Sequence, residues 1–348
     1  MLKKMLMGAS AMVALGLAAQ PASAGLMLFQ GYQNAALSID GATSSTSNVI
    51  RADVPAGSTV VAAYLYTADI WGSGGNYGAV LEGVTLDQAD GALLNNANPA
   101  SVRRFDVTSI IKPIIDGGAG GVYDFSYAET QSTDGSVLVV VYRNGSTTGT
   151  AILLDGELAL GGDTTTLTFD SPYVSGDIIM SLASSFSYNG NSTSNSTGQV
   201  TVVDVQTSSN PVSRRLTSCA GGNDDGNFLA ANGDLLTVGG IGDNTSNPDP
   251  NCAGGAGDDE LYNLAEGNII DAAPFVTAGD TYVSFLTENP SFDDNVFFMG
   301  ITSSFAISRV NDDPIDTDDP VETPEPATLA LLGLGLAGAG ALRRRRKA

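Results

Sequence analysis

The acidic residues of this 348-residue chain are the side chains whose types and spacing suggest chemistry. Carboxylate and amide oxygens on Gly-rich loops are the ligands that Ca²⁺ prefers, and adjacent carboxylates repel each other unless a cation or water separates them. Two short runs that precede apolar segments are the candidate Ca²⁺ ligands: Asp258, Asp259 and Glu260, and Asp293, Asp294 and Asn295. Plain solvated acidity explains the same runs, because the chain has 38 acidic residues and no EF-hand pattern.

The absence of histidine limits the catalytic chemistry of the chain. It excludes Ser-His-Asp and Cys-His mechanisms, HExxH metalloproteases and imidazole zinc sites. Two Cys are also too few for a four-thiolate zinc or iron–sulfur site. Paired carboxylates can hydrolyse glycosidic bonds without histidine, but no pair of Glu is recognisable as acid and nucleophile. We therefore predict no catalytic residue and no enzymatic activity, with a glycan-processing enzyme as the alternative.

The single tryptophan, Trp71, lies in the Gly-rich segment IWGSGGNY. An aromatic ring on such a loop can stack on the face of a sugar ring. Trp71 is therefore a candidate ligand-binding residue, and a carbohydrate-binding module is an alternative function. A buried ring that anchors the loop is the other interpretation of this residue.

Residues 1–24 have the composition of a signal peptide. Lys3 and Lys4 form a positive region, an apolar stretch follows, and the small residues Ala22 and Ala24 form a cleavage site. We predict export by the Sec machinery and cleavage after Ala24. A membrane anchor that stays attached is the alternative.

The C-terminus combines a Pro-Glu-Pro motif, an apolar segment over residues 327–342 and a basic cluster. Sixteen helical residues reach about 24 Å, and flanking Arg side chains extend that span towards the roughly 30 Å of a hydrocarbon core. Basic residues after the segment hold that end in the cytoplasm, so the preceding chain faces outward. The motif and the cluster consist of Pro324, Glu325, Pro326, Arg343, Arg344, Arg345 and Arg346, followed by Lys347.

These three parts, over about the last 25 residues, resemble the PEP-CTERM sorting signal. The resemblance implies a Gram-negative exporter whose exosortase recognises and removes residues 324–348. Such proteins are commonly associated with exopolysaccharide and biofilm formation. The resemblance therefore predicts a protein that touches the inner membrane only through its C-terminal helix in transit, and that ends at the cell surface or in the extracellular matrix. Exosortase, the Sec machinery and exopolysaccharide are the expected partners, and an unprocessed single-span anchor is the alternative.

The segment between the two signals, residues 25–323, is strongly acidic. It holds 37 of the 38 acidic residues but only eight of the 15 basic ones. A surface of this charge repels phosphate backbones, so we predict no nucleic-acid partner.

The two cysteines, Cys219 and Cys252, are expected to form a disulfide, because the compartments outside the cytoplasm are oxidising. The bond would close a 34-residue stretch and stabilise the fold by roughly 3–4 kcal/mol in the loop-entropy model. Few residues of that stretch are apolar, so burial alone would order it poorly.

Short apolar runs rich in β-branched and aromatic residues recur between Gly, Asn, Asp and Pro. No long amphipathic helix alternates with them, so we predict an all-β fold, a jelly-roll-like antiparallel sandwich over residues 25–310 with very little helix. A loop region rich in Gly, Asp and Asn interrupts it at about 211–266, and residues 311–323 form an acidic linker. The segments LLTVGGIGDN, DDELYNL and ENPSFDDNVFF resemble those of an exported bacterial β-domain of unassigned function.

Three local patterns give sharper expectations. Asn144-Gly145 predicts a hairpin turn between the apolar runs at 136–142 and 151–160. Residues 106–115 predict a short helix that Pro113 breaks. Residues 258–264, with acidic residues at the start, predict a second short helix.

Overall fold

The structure is a computed structural model. It describes residues 25–43, 48–69, 78–94, 102–130, 133–159, 162–185, 201–220, 236–243, 245–247, 249–251, 260–288 and 295–315. Antiparallel strands are the main regular structure of these residues, with one α-helix, α1 (Thr108–Asp116), and one 3₁₀ turn at Gln88–Asp90. The predicted all-β antiparallel fold is therefore confirmed, while the jelly-roll connectivity stays a prediction.

The strands before residue 144 build two sheets, apart from the first strand. The inner N sheet has the order β2 (Ala36–Ala42), β10 (Thr133–Arg143), β4 (Thr59–Asp69), β8 (Val102–Asp106) and β7 (Ala92–Leu93). The outer N sheet has the order β3 (Val49–Val54), β9 (Gly121–Glu129), β5 (Ala79–Leu81) and β6 (Val84–Leu86).

The later strands build two further sheets. The inner C sheet has the order β1 (Met27–Gln33), β11 (Thr150–Asp155), β19 (Asn295–Ser303), β13 (Ile178–Ser185) and β16 (Leu236–Val238), and β17 (Leu261–Asn263) also pairs with β13. The outer C sheet has the order β15 (Arg214–Ala220), β14 (Thr201–Thr207), β18 (Tyr282–Glu288), β12 (Asp163–Phe169), β20 (Ile307–Val310) and β21 (Asp313–Pro314).

The four sheets stack as layers around three apolar cores. Along β11, Ala151 and Leu153 face the core between the two inner sheets, whereas Ile152 and Leu154 face the core against the outer C sheet. Strand β10 divides its residues in the same way between the middle core and the core against the outer N sheet. Because both faces of β10 and β11 are buried, these strands carry unbroken apolar runs that do not alternate.

The predicted hairpin at Asn144-Gly145 is wrong, because β10 and β11 lie in different sheets. Strand β1 also passes into a different sheet from β2, so the two connections form a pair of stacked arches. The backbone N–H of Ala35 donates to the Gly149 carbonyl oxygen at 3.4 Å, and Thr147 Oγ1 donates to the Asn34 carbonyl oxygen at 2.8 Å. Each of the two apolar runs must bury both of its faces, and strands that lie in separate stacked layers can do so.

The two helix predictions also fail in part. Helix α1 forms but continues through Pro113 as far as Asp116. It is held against the start of β4, because Lys112 Nζ donates to the Val60 carbonyl oxygen at 2.6 Å and the Val60 N–H donates to Asp116 Oδ1 at 2.8 Å. The second predicted helix is wrong, since Leu261–Asn263 is strand β17 and buries Tyr262 completely.

The loop-rich region at 211–266 contains three of the strands, β15, β16 and β17. The predicted linker at 311–323 likewise begins inside the fold, because β21 pairs with β20 and Ile315 is buried. The Ile315 side chain lies directly over Gly31 of β1, where a Cβ would overlap it. The sheet structure therefore extends to residue 315.

One buried ion pair joins the two inner sheets. Arg104 of β8 binds the Asp155 carboxylate of β11, and Tyr66 donates its hydroxyl to the same carboxylate at 3.0 Å. The Phe29 ring covers the guanidinium group, with its centroid 3.3 Å from Cζ. Burial raises the pKa of Asp155, and the Arg104 charge opposes that shift. A buried charge that lost its partner would cost several kcal/mol, so this pair fixes the layers relative to each other.

Gly149 should tolerate no side chain, because a Cβ there would overlap the Ser303 carbonyl oxygen of β19. We expect Gly149→Ala to lower the free energy of unfolding by about 1–3 kcal/mol or more, as overpacking of a buried site does. Gly145→Ala is the matched control in the same arch, since no atom lies within 4 Å of its Cβ position. Urea unfolding of both variants checks this, and equal midpoints would contradict the arch geometry.

Candidate functional site

A cleft of about 350 Å³ opens between the edge strand β2 and the inner C sheet. The apolar side chains of Ile179 and Leu261 line part of its floor, and the rest of the floor consists of Ser181 of β13 and Gly300 and Thr302 of β19. These last three residues are small or polar on the cleft face, whereas their neighbours Met180 and Ile301 point into the opposite core. Because successive side chains of a strand point to opposite faces of the sheet, these strands present apolar side chains to the core and hydroxyl groups to the cleft.

A Gly-rich segment, Gly239–Asp243, forms one lip of the cleft. The Ile241 N–H donates to the Ile39 carbonyl oxygen at 3.0 Å, and Ser181 Oγ donates to the Gly239 carbonyl oxygen at 2.6 Å. A Cβ on Gly240 would overlap the Ile39 carbonyl oxygen, so only glycine permits this approach to β2. The lip is therefore hydrogen-bonded both to β2 and to the floor of the cleft.

The wall of the cleft that β2 and β3 form is held together by side-chain hydrogen bonds, because these two strands belong to different sheets. Asp53 donates its N–H to Ser38 Oγ at 2.8 Å, and Arg51 donates its N–H to Asp40 Oδ2 at 2.6 Å. These bonds replace the backbone ladder that the two strands lack. They place the exposed Asp53 carboxylate at the rim of the cleft.

The lining combines five apolar side chains with hydroxyl groups, backbone amides and the two carboxylates of Asp53 and Asp243. Asp243 Oδ2 accepts the Gly240 N–H at 2.6 Å and so fixes the turn of the lip. No residue that lines the cleft is basic. The arrangement suits a neutral or cationic ligand with many hydrogen-bonding groups and disfavours an anion.

The predicted Ca²⁺ ligands are only partly within the described residues. Glu260 is buried next to β17 and Asn295 begins β19, whereas Asp258, Asp259, Asp293 and Asp294 lie outside them. The register on β13 places Glu260 beside Leu182 and Asn295 opposite Ser185. Three residues along β13 and two strand spacings across it separate their backbones by roughly 14 Å. Within the described residues no group of three or more acidic, Cys or His side chains could hold a metal ion, so calcium stays a prediction.

The other predicted sites remain predictions as well. Cys219 lies in β15, but Cys252 lies outside the described residues. Trp71, the cleavage site at Ala22 and Ala24, and the whole of residues 316–348 also lie outside them. Sequence reasoning missed the cleft. The three glycines of the segment Gly239–Asp243 were the one signal in the sequence that could have indicated it.

Comparison with known proteins identifies one segment. The family model of the PEP-CTERM protein-sorting motif matches residues 322–346, which confirms the predicted C-terminal signal. No curated protein matches the chain. Within the described residues, no helix has both the length and the hydrophobicity needed to cross a membrane.

These features define an exported, nearly all-β protein that an exosortase sorts. Before processing, the chain is anchored in the membrane. The motif covers only the tail of the chain and describes its route, while the function of the body stays unassigned.

The lip of the cleft should loosen when its bond to the floor is removed. We expect Ser181→Ala to lower the free energy of unfolding by about 1 kcal/mol and to speed amide exchange at Ile241, because the Gly239 carbonyl oxygen loses its donor. Thr302→Ala is the control, since Thr302 lines the same floor. Hydrogen-exchange mass spectrometry of both variants checks this, and equal exchange over residues 239–243 would contradict the role of Ser181.

Proposed function

We propose that the mature body is a non-catalytic component of the cell surface or extracellular matrix, released there after exosortase removes the C-terminal signal. The observation that carries the proposal is the sorting motif at residues 322–346. The composition agrees with it, because a chain without histidine lacks the commonest general base. The acidity of residues 25–323 would also keep such a protein soluble outside the cell.

A second function, saccharide binding, is favoured by the cleft. Its floor offers Ser181 and Thr302 hydroxyl groups beside the bare backbone of Gly300, and its rim offers the Asp53 carboxylate. Carboxylates and hydroxyls are suitable partners for sugar hydroxyl groups. The exopolysaccharide of the producing cell is the proposed ligand. Stacking on Trp71 and glycan processing are the competing forms of this function.

Loss of the sorting motif should change the fate of the protein. We expect the double variant Pro324→Ala/Pro326→Ala to stay in the membrane fraction with its tail attached, because the exosortase no longer recognises it. The wild-type protein should leave that fraction and lack about 25 residues, the length of the matched segment. Pro320→Ala, in the preceding acidic segment, is the control. Fractionation with intact-mass measurement checks this, and unchanged location and mass in the double variant would refute the sorting role.

Affinity electrophoresis on the native polysaccharide tests the cleft. We expect retardation of the wild-type protein and a several-fold weaker retardation of Asp53→Ala, because a rim carboxylate that accepts sugar hydroxyls is lost. Asp312→Ala changes the net charge equally and is exposed away from the lining, so it serves as the control.

Three other outcomes of that experiment would revise the second function. Retardation that Trp71→Ala abolishes and Asp53→Ala leaves unchanged would move the site to Trp71. Shortened polysaccharide after incubation would establish the glycan-processing alternative. An unretarded wild-type protein would contradict saccharide binding.

A further inference from the structure

The first described residue, Gly25, lies against the carboxylate of Asp163. A Cβ placed on Gly25 would lie 3.0 Å from Asp163 Oδ2 and 3.1 Å from Oδ1, which places the main chain of Gly25 next to both oxygens. Gly25 is buried, and the following residue, Leu26, is part of the core between the inner and outer C sheets. The start of the described chain is therefore held at a fixed place beside an acid.

The Asp163 carboxylate is positioned by backbone donors. The Ala159 N–H donates to Oδ2 at 2.9 Å, and the Leu26 N–H also donates to this carboxylate. Partial burial raises the pKa of Asp163, and these two donors oppose the shift. None of the five ion pairs between described residues involves Asp163. Two fixed N–H groups and the nearby main chain of Gly25 thus surround a half-buried acid.

Signal-peptide removal would change the charge at this place. Hydrolysis of the Ala24–Gly25 peptide bond consumes one water molecule, leaves a carboxylate on Ala24, and leaves an amine on Gly25 that takes a proton to become an ammonium group. The amide nitrogen of Gly25 carries no charge before cleavage. The cut therefore creates a cation one bond from a Cα that already lies beside Asp163.

We propose that the α-ammonium group created on Gly25 binds the carboxylate of Asp163, so that Asp163 is the receptor for the mature N-terminus. The inference goes beyond the proposed function and rests on the predicted cleavage after Ala24. Removal of the signal peptide would then add an interaction to the folded state, because Gly25 leads into β1 of the inner C sheet while Asp163 begins β12 of the outer C sheet. The ion pair ties these two layers at the point where the mature chain starts.

The proposed ion pair between Gly25 and Asp163 matters because basic side chains are scarce in the exported body. Residues 25–323 contain eight basic side chains for 37 acidic ones. Five of the eight already form ion pairs, through Arg51, Arg104, Lys112, Arg214 and Arg215. An α-ammonium group adds a ninth cation to the exported body at an acid that none of these residues serves.

The test uses protein exported with its own signal peptide and purified after processing. Intact mass fixes the first residue of the wild type, Asp163→Asn and Asp170→Asn. Asp170 is exposed at the far end of β12 and is the control. The pKa of the α-amine is then measured by NMR after ¹³C reductive methylation.

We expect cleavage before Gly25 and an α-amine pKa clearly above the ordinary 7.7–8.0 in the wild type and in Asp170→Asn. In Asp163→Asn the pKa should return to the ordinary range. A one-unit difference corresponds to a tenfold smaller fraction of free amine, and hence to about tenfold slower acylation of the N-terminus near pH 7. A processed chain that begins elsewhere, or equal pKa values in the wild type and Asp163→Asn, would overturn the proposal.

A second variant keeps the test independent of the Asp163 substitution. Inserting one Ser between Ala24 and Gly25 moves the α-ammonium group by about 3.5 Å while every side chain of the body is retained. Because an ion-paired amine has a raised pKa in the folded state, the pair stabilises the fold below about pH 8, and this contribution disappears as the pH rises through the raised value. We expect urea unfolding at pH 7 to show a lower midpoint for the insertion variant than for the wild type, and equal midpoints near pH 11. Equal midpoints at both pH values would contradict the ion pair.

Discussion

The structure depends on one constraint, which is that the most apolar strands of the two inner sheets must bury side chains on both faces. Strands β10 and β11 meet it with unbroken apolar runs whose successive residues belong to different cores. Such strands cannot lie at a surface, so outer sheets must flank them on either side. The stacked layers and the arches between them follow from this requirement, since a hairpin would have left both runs in one sheet.

The sequence predicts the strands well and their partners poorly. Run length and β-branched residues located β10 and β11, because these signals are local. The turn at Asn144-Gly145 has the composition of a hairpin, yet the layer that each flanking strand enters is decided by burial far along the chain. Contacts distant in sequence also decide the helix at Pro113, because hydrogen bonds from Lys112 and Asp116 to β4 hold a helix that proline disfavours. The cleft was hidden because Asp53, Ser181 and Gly300 are distant in sequence.

The C-terminal motif and the body of the chain have different roles. The C-terminal motif marks the protein for export and for sorting by an exosortase. The body between the terminal signals carries nearly all of the acidic residues, and its cleft is lined by apolar side chains, hydroxyls, carboxylates and bare backbone. A net charge of this sign disfavours contact with phosphate-rich and other anionic molecules.

The passage of β1 into the inner C sheet has a consequence for how the protein is made. Among the described strands β1 pairs with β11 alone, more than a hundred residues later, and β11 in turn pairs with β19 near the end of the described residues. The contact order is therefore high, and the first strand to leave the exporter must wait for the last ones. During that interval its unpaired edge can be taken by β11 of another molecule, since strand exchange needs no new interface. A chain with this topology gains from slow, dilute delivery across the membrane, where a neighbouring copy is seldom close.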